Sequence, residues 1–213
     1  MTIAILFGSL IIFILLNIPI AIALGLSVLT TLFIASDLSV DIMVQKAFTG
    51  LDSFPLMAIP FFMLAGELMS KGGLSKRLLD LANALVGFLV GGLAMVTILA
   101  CMFFASISGS GPATVSAIGS FMIPEMKAKN YGDGFASAIT AASGSIGVII
   151  PPSIPFVIYG VVASVSVGGM FLAGIIPGII MGISLMIVSF VISKKNGFQS
   201  STIRISFVDV LKS

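Results

Sequence analysis

Residues 106–112 are Ser-Ile-Ser-Gly-Ser-Gly-Pro, and this stretch interrupts an apolar region that carries no charged side chain from position 81 to position 124. Two glycines and a proline so close together disfavour a continuous helix. A broken backbone within a membrane is tolerated only where it is buried in protein or lines a cavity. We therefore expect residues 106–112 to form half of a binding site rather than a lipid-facing surface.

The composition places the chain among integral membrane proteins. It is 58% hydrophobic, and its 213 residues include only ten basic and eight acidic side chains. About a quarter of the residues are charged in an ordinary soluble domain. Three regions without charge, 1–36, 81–124 and 134–193, each exceed the roughly 20 residues that cross a bilayer. These features predict an all-α protein with several membrane spans.

Several classes of function are disfavoured by what the chain lacks. It has no histidine, so the Ser110 within Gly109-Ser110-Gly111 has no histidine base that would activate it as a nucleophile. The single Cys101 disfavours a disulfide framework or a cysteine metal site. No phosphate-binding loop is present, and a net charge of +2 does not suggest nucleic acid. We predict that the chain is not an enzyme.

Charge and proline positions divide the chain into segments. We predict spans at 1–36, 53–70, 134–163 and 167–193, with a kink or strong tilt around Asn17-Ile18-Pro19 and an interruption at 150–153. Residues 37–52 and 125–133 are predicted to be polar loops, and residues 196–213 a polar tail. Residues 74–90 are typical of an amphipathic helix at the membrane interface, with Leu74, Leu78, Leu81 and Leu85 on one face.

Residues 91–124 are predicted to form a re-entrant helical hairpin with its tip at 108–112. Each half has about 15 residues, or roughly 23 Å of helix, which is short for a full crossing. A single kinked span is the alternative, and the positive-inside rule distinguishes the two. With the N-terminus in the cytoplasm, the hairpin leaves only Lys46 outside and places seven basic residues inside: Lys71, Lys76, Arg77, Lys127, Lys129, Lys194 and Lys195. A kinked span would move Lys127 and Lys129 outside, so the charge bias favours the hairpin.

The hairpin tip offers oxygen atoms for a sodium ion. The hydroxyls of Ser106, Ser108, Ser110 and Thr114 accompany the carbonyls around Gly109 and Gly111 at a helix C-terminus. The following helix N-terminus suits an anionic solute group. Broken helices hold cation and anion together in this way in secondary transporters. The alternative is that these small residues only allow close helix packing.

The interruption in residues 143–153 is the second candidate. Pro151 and Pro152 lack N–H groups, so the carbonyls of Gly147 and Ile150 cannot all find helical partners. A proline kink without a ligand is the alternative here. Glu67, the only acid within a predicted span, lies four residues before Lys71, and we interpret the two as an interfacial ion pair.

Five segments together resemble the large membrane subunit of TRAP transporters, the tripartite ATP-independent periplasmic transporters. They are Ala-Ile-Pro-Phe-Phe (58–62), Gly-Gly-Leu-Ala-Met (91–95), Ser-Gly-Ser-Gly-Pro-Ala-Thr-Val-Ser-Ala-Ile-Gly (108–119), Gly-Val-Ile-Ile-Pro-Pro-Ser-Ile (147–154) and Met-Phe-Leu-Ala-Gly-Ile-Ile-Pro-Gly (170–178). The likeness covers residues 1–195. A complete member is about twice as long, so the chain resembles the N-terminal half, and alone it should not transport.

The resemblance implies a multi-pass importer in a bacterial or archaeal inner membrane, driven by sodium and working as an elevator built from two inverted repeats. It implies a small four-helix membrane subunit, a periplasmic substrate-binding protein and the second half of the large subunit as partners. Its substrates would be small organic anions such as C4-dicarboxylates or sialic acids. The implied domains are a scaffold (1–90), a transport region (91–165, with hairpin 91–124 and broken span 134–163), a closing span (166–195) and a tail (196–213) that leads to a second repeat.

The resemblance also assigns residues. The sodium ligands would be Ser108 and Ser110 with the carbonyls of Gly147, Ile150 and Pro152. Candidates on the substrate side are Ser106, Gly111, Thr114 and Ser153. A channel-like or structural membrane subunit without coupled transport is the alternative function, and it would need the helix breaks only for packing.

Overall fold

A computed structural model describes residues 1–35 and 39–198, and every regular element in these ranges is helical. The chain divides into two compact units, Met1–Ser53 and Phe54–Ser213. Ser36 at the end of the first predicted span, Asp37 and Leu38 at the start of the predicted polar loop, and residues 199–213 of the predicted tail lie outside the described residues.

The first unit contains three helices: α1 (Thr2–Leu15), α2 (Ile20–Ala35) and α3 (Val40–Leu51). The single span predicted for residues 1–36 is therefore wrong, because α1 and α2 are separate helices that pack against each other. Asn17 adopts a positive φ of 63° between them, a conformation that asparagine tolerates better than most residues. The predicted break lies at the correct place, but the chain turns there.

Helix α3 occupies most of the segment that was predicted to be a polar loop. Ser39 caps its N-terminus, where the Ser39 hydroxyl accepts a hydrogen bond from the Asp41 N–H at 3.2 Å. Asp41 also lies in the first turn, where a negative charge is favourable. The loop prediction is wrong because it rested on the charged residues alone and did not take the helix cap at Ser39 into account.

The second unit contains the remaining helices. They are α4 (Phe54–Lys71), α5 (Leu74–Val86), α6 (Gly92–Ser108), α7 (Gly111–Ala128), α8 (Asp133–Gly144), a 3-10 turn (Ser145–Val148), α9 (Ile154–Val162) and α10 (Val167–Asn196). Helix α6 is the centre of this unit, because it packs against α4, α5, α7, α8 and α10 and carries much of the buried core, including Ile98, Cys101 and Phe104.

The predicted helix at residues 74–90 forms as α5, and Leu78 of its predicted leucine face packs on the core. Ser75 and Ala82 are buried and Val86 packs on the core, whereas Leu85, expected on the apolar face, is 41% exposed. The small side chains of Ser75 and Ala82 allow α5 to pack closely in the second unit, where it contacts α6. The helix ends at Val86 rather than at residue 90, because Gly87 caps it.

The predicted hairpin is formed by α6 and α7, which contact each other and break at Gly109–Ser110. Helix α7 continues beyond Pro124 to Ala128, so the connection to α8 covers only residues 129–132 instead of the predicted 125–133. Tyr131 in this connection stacks on Phe198 at a ring-centroid distance of 4.3 Å. Burial raises the pKa of Tyr131, and its hydrogen bond with the Leu93 backbone opposes that effect.

The predicted broken span consists of α8, the 3-10 turn and α9. The α-helical pattern ends at Gly144, and α9 begins at Ile154, so the interruption is wider than the predicted 150–153. The peptide bond between Pro151 and Pro152 is cis.

Helix α10 carries a row of glycines that faces the second unit. Gly174, Gly178 and Gly182 are buried, and β-carbons there would clash with Ile149, Ile150 and Met102, respectively. Its opposite face exposes large apolar side chains such as Leu172, Ile176 and Ile187. By length and composition α10 is the one described helix that is clearly able to cross a membrane, and a second candidate arises only if Val40–Leu51 and Pro55–Met69 are counted together.

Candidate functional site

The tip of the hairpin is shaped by three local preferences. Gly109 ends α6 with a φ of 60°, the left-handed conformation that glycine adopts without steric cost. Ser110 is extended and caps α7, and its hydroxyl accepts from the Ala113 N–H at 3.4 Å. Pro112 lies in the first turn of α7, where its missing N–H removes no helical hydrogen bond. The predicted break therefore ends one helix and starts another.

Two buried hydroxyls meet behind this tip. The hydroxyl oxygens of Ser108 and Thr114 lie 3.1 Å apart, and the two residues are 3% and 0% exposed. The Thr114 hydroxyl donates to the Ser110 carbonyl at 2.8 Å. Thr114, assigned to the substrate side from the sequence, thus belongs to the same oxygen cluster as Ser108.

Ser153 organises the end of the broken span. Its hydroxyl caps α9 by accepting from the Phe156 N–H at 3.4 Å, and it donates to the Val148 carbonyl. The residue is buried at 1% exposure. Its described hydrogen bonds hold the interruption together, so its hydroxyl has a structural function in addition to its predicted place near the solute.

The hairpin tip and the broken span are in direct contact. The Ile154 N–H donates to the Gly109 carbonyl at 3.1 Å, and a β-carbon on Gly109 would lie 2.5 Å from the Pro152 carbonyl oxygen. A β-carbon on Gly147 would lie 2.8 Å from the Thr114 hydroxyl and 3.1 Å from the Ser110 carbonyl oxygen. The glycines therefore allow the backbones of the two breaks to approach each other closely.

Close packing, the alternative explanation for these small residues, is also present. A β-carbon on Gly111 would lie 3.1 Å from the Gly144 carbonyl oxygen, and one on Gly144 would overlap Val115. Close packing of small residues and the Ser108–Thr114 oxygen cluster are therefore both present at this contact.

Two predicted residues lie less centrally. Ser106 is exposed, and its hydroxyl donates to the Phe103 carbonyl within its own helix at 2.7 Å. The Ile150 side chain packs against Gly178 of α10, and its N–H donates to the Ile146 carbonyl at 3.0 Å.

The chemistry of the cluster suits a hard cation. Its polar atoms are hydroxyl and carbonyl oxygens, which are the groups that unwound transporter helices use for sodium. Across residues 1–35 and 39–198, no group of three His, Cys, Asp or Glu side chains is arranged to hold a metal. The Ser108 and Thr114 hydroxyls and the Ser110 carbonyl are oxygen donors of the kind that suits a hard cation rather than a soft transition metal.

A cavity of about 450 Å³ opens from the hairpin tip toward α4. Ser108 and Ser110 line it together with Glu67 and Lys71, whose predicted ion pair is confirmed by a distance of 3.1 Å. The sequence reasoning missed that the pair and the tip share one cavity. It also missed Ser116 and Ser120, although their spacing of four residues places them on one face of α7.

Comparison with known proteins identifies the family. The sequence profile described as "Tripartite ATP-independent periplasmic transporter, DctM component" matches residues 7–209. The isethionate TRAP transporter permease protein DctMQ of Oleidesulfovibrio alaskensis is 54% identical over 92% of this chain and 31% of its own length. The C4-dicarboxylate TRAP transporter large permease protein DctM of Rhodobacter capsulatus is 41% identical over 93% of this chain and 48% of its own length.

A third relative extends the range of solutes. The sialic acid TRAP transporter large permease protein SiaM of Vibrio cholerae is 40% identical over 85% of this chain and 43% of its own length. The chain thus spans about a third to a half of the length of these relatives, which are transporter components rather than enzymes. Its sequence shows that the chain belongs to the DctM family of tripartite ATP-independent periplasmic transporter components.

Proposed function

We propose that this chain forms the first half of the large membrane subunit of a sodium-coupled importer of small organic anions in a bacterial inner membrane. The observation that carries the proposal is the contact between the two helix breaks, where the Ile154 N–H bonds the Gly109 carbonyl and the Pro152 carbonyl faces Gly109. If each break served only to bend its own helix, the two breaks would not need to contact each other.

Sodium would be held by the Ser108 and Thr114 hydroxyls and the Ser110 carbonyl, with Gly147, Ile150 and Pro152 contributing backbone carbonyls. The ion would supply positive charge that offsets the negative charge of the solute. The chain would hold these hydroxyl and carbonyl oxygens close to one another without using carboxylate side chains as ligands. The Ser110 hydroxyl caps α7 and so keeps the N-terminal turn of that helix formed beside the site.

The solute is proposed from chemistry and from the relatives. C4-dicarboxylates, sialic acid and isethionate, which appear in the names of the relatives, are all small anions with polar substituents. An anionic group near Gly111 and Ala113 would meet the positive end of the α7 dipole. Ser153, Gly111 and, more distantly, Ser106 remain the proposed solute-side residues.

The remaining architecture is proposed from the family. The second half of the subunit would contribute an inverted copy of the hairpin and broken span, and the transport region 91–165 would move as an elevator against the scaffold 1–90. Span 166–195 would close this half, and residues 196–213 would lead to the second repeat. A small membrane subunit and a periplasmic binding protein would complete the assembly.

Sodium-dependent uptake tests the function. The assembled transporter that contains this chain is reconstituted in vesicles, and uptake of radiolabelled succinate, N-acetylneuraminate and isethionate is measured across a range of external sodium. We expect sodium-driven accumulation of one of these anions. Ser108→Ala should raise the sodium concentration for half-maximal uptake about tenfold, the equivalent of one lost oxygen ligand worth about 1.4 kcal/mol.

Ser184→Ala is the matched control, because Ser184 lies on α10 and its hydroxyl donates only to the Ile180 carbonyl of its own helix. If both variants keep the sodium dependence of the unmodified transporter, the assigned ion site is wrong. Downhill equilibration of solute without accumulation would instead support the channel-like alternative.

A further inference from the structure

The cavity between α4 and the hairpin joins the tip to an ion pair. Its lining mixes polar and apolar side chains: Met63, Gly66, Glu67, Lys71, Phe104, Ser108, Ser110, Ala113, Ser116, Ala117, Ser120 and Phe121. Ligand sites for small organic molecules have this character, with an apolar wall and a few placed polar groups. A volume of about 450 Å³ suits an organic solute and is much larger than a coordinated sodium ion needs.

Helix α4 brings its charges close to the tip. Gly66 is so near α6 that a β-carbon would lie 3.4 Å from the Ser108 Cα. Glu67 follows directly, and Lys71 lies one turn further on the same face. The ion pair therefore begins at the residue next to Gly66, the α4 residue that packs against Ser108.

The Glu67–Lys71 pair is weak enough to exchange. The two side chains are 63% and 76% exposed, and exposed pairs of this spacing contribute only a few tenths of a kcal/mol. Glu67 lies near the C-terminus of α4, where the helix dipole disfavours a carboxylate and favours a lysine. Lys71 can therefore exchange its ion pair with Glu67 for one with another anion at little cost in free energy.

The facing helix adds neutral polar groups. Ser116 and Ser120 are exposed one turn apart on α7, between the tip and the level of Phe121. The Ser120 hydroxyl donates to the Ala117 carbonyl at 3.0 Å, which leaves its oxygen lone pairs directed away from that bond. These hydroxyls are neutral groups that can form hydrogen bonds with a polar molecule in the cavity.

We propose that this cavity is a vestibule for the small organic anion on its way from the hairpin tip, with Lys71 as the counter-charge and Glu67 as the internal competitor for that charge. The inference rests on the proposed function for the identity of the solute. The apolar wall of Met63, Phe104 and Phe121 contacts the carbon skeleton, and Lys71 meets the anionic group.

Charge-selective labelling tests the vestibule without any transport. Ser116→Cys and Ser120→Cys are made separately in the assembled transporter, and Cys101 can be retained because it is fully buried. Each is reacted in membranes with 2-sulfonatoethyl methanethiosulfonate, an organic anion, and with its trimethylammonioethyl analogue, a cation of similar size. Rates are normalised to those of glutathione in solution.

We expect the anionic reagent to react faster than the cationic one at both positions. Lys71→Gln should lower that ratio about three- to tenfold and Glu67→Gln should raise it, since a unit charge at short range in a wet site shifts energies by about 1 kcal/mol. Lys76→Gln is the matched control, because Lys76 is exposed on α5 and does not line the cavity. Opposite effects from two residues one turn apart cannot come from general misfolding.

Three results would overturn the vestibule: cysteines that neither reagent reaches, a preference for the cation, or equal effects of Lys71→Gln and Lys76→Gln. The labelling result is independent of sodium coupling. If uptake proves independent of sodium while Lys71→Gln alone removes the anion preference, the vestibule holds and the sodium assignment fails.

Discussion

Gly109 and Pro152 lie so close that a β-carbon on Gly109 would be 2.5 Å from the Pro152 carbonyl oxygen. These residues are far apart in the sequence and belong to different helix breaks. Their contact joins the hairpin tip to the broken span, and the Ile154 N–H strengthens it with a hydrogen bond to the Gly109 carbonyl. Substitutions around this contact separate the effects of backbone strain, packing and ion binding.

Gly109→Ala should destabilise the protein by about 2–4 kcal/mol, because the added carbon both strains a left-handed residue and meets backbone atoms that cannot move aside. Gly197→Ala is the control, since Gly197 caps α10 with a similar φ of 68° but has open space around it. Thermal unfolding in detergent, monitored by size-exclusion chromatography, should show a much larger loss for Gly109→Ala. Equal losses would mean that the contact with Pro152 contributes nothing.

Thr114→Val should raise the sodium concentration for half-maximal uptake about tenfold, because it removes an oxygen from the cluster and leaves the Ser108 hydroxyl without that partner. Thr114→Ser keeps the hydroxyl and should stay near the unmodified value. Thr97→Val controls for burial, since Thr97 is also 0% exposed but bonds the Leu93 carbonyl within its own helix. A tenfold change in the Thr97 variant as well would remove the argument for a local ion site.

Ser153→Ala should cost about 1–3 kcal/mol of stability, since it removes a helix cap and leaves buried partners without a hydrogen bond. Ser166→Ala is the matched cap, with the Gly169 N–H bonded to the Ser166 hydroxyl at 3.1 Å at an exposed site. The Ser166→Ala variant should lose only about 1 kcal/mol of stability, because solvent can replace the missing hydrogen bond at this exposed site. Thermal unfolding of the two variants measures these losses of stability. A larger loss for Ser166→Ala than for Ser153→Ala would contradict the structural function of Ser153.

Stability should fall at alkaline pH because of Tyr131. Burial raises its pKa above the ordinary value of about 10, so the folded state holds the phenolic proton more tightly than the unfolded state. The resulting stabilisation is complete below pH 10 and is lost as the pH rises through the folded pKa. Chemical unfolding from pH 8 to pH 11 should show a shallower alkaline loss for Tyr131→Phe, whereas Tyr159→Phe, at an exposed tyrosine, should follow the unmodified protein.

Much of the helical pattern follows from local chemistry. Glycine and proline marked the hairpin tip at Gly109–Ser110 and the interruption before Ile154, because both residues act on their own backbone. The Glu67–Lys71 pair was predictable for the same reason, since residues four apart on a helix are neighbours. These features required no knowledge of distant contacts.

The errors have physical causes as well. Residues 1–36 look like one span by hydropathy, but hydropathy cannot distinguish a kinked span from two helices that turn at Asn17 and pack together. Residues 40–51 became a helix because Ser39 caps it, although their charges suggested a loop.

The sequence by itself determined that the chain is an α-helical membrane protein of the TRAP large-subunit type with two broken helices, since composition and backbone chemistry are local properties. Only the tertiary structure decided that the two breaks touch and that Glu67 and Lys71 share a cavity with the tip. Those relationships depend on how closely helices approach, and that distance is set by which small residues face each other across the packed second unit.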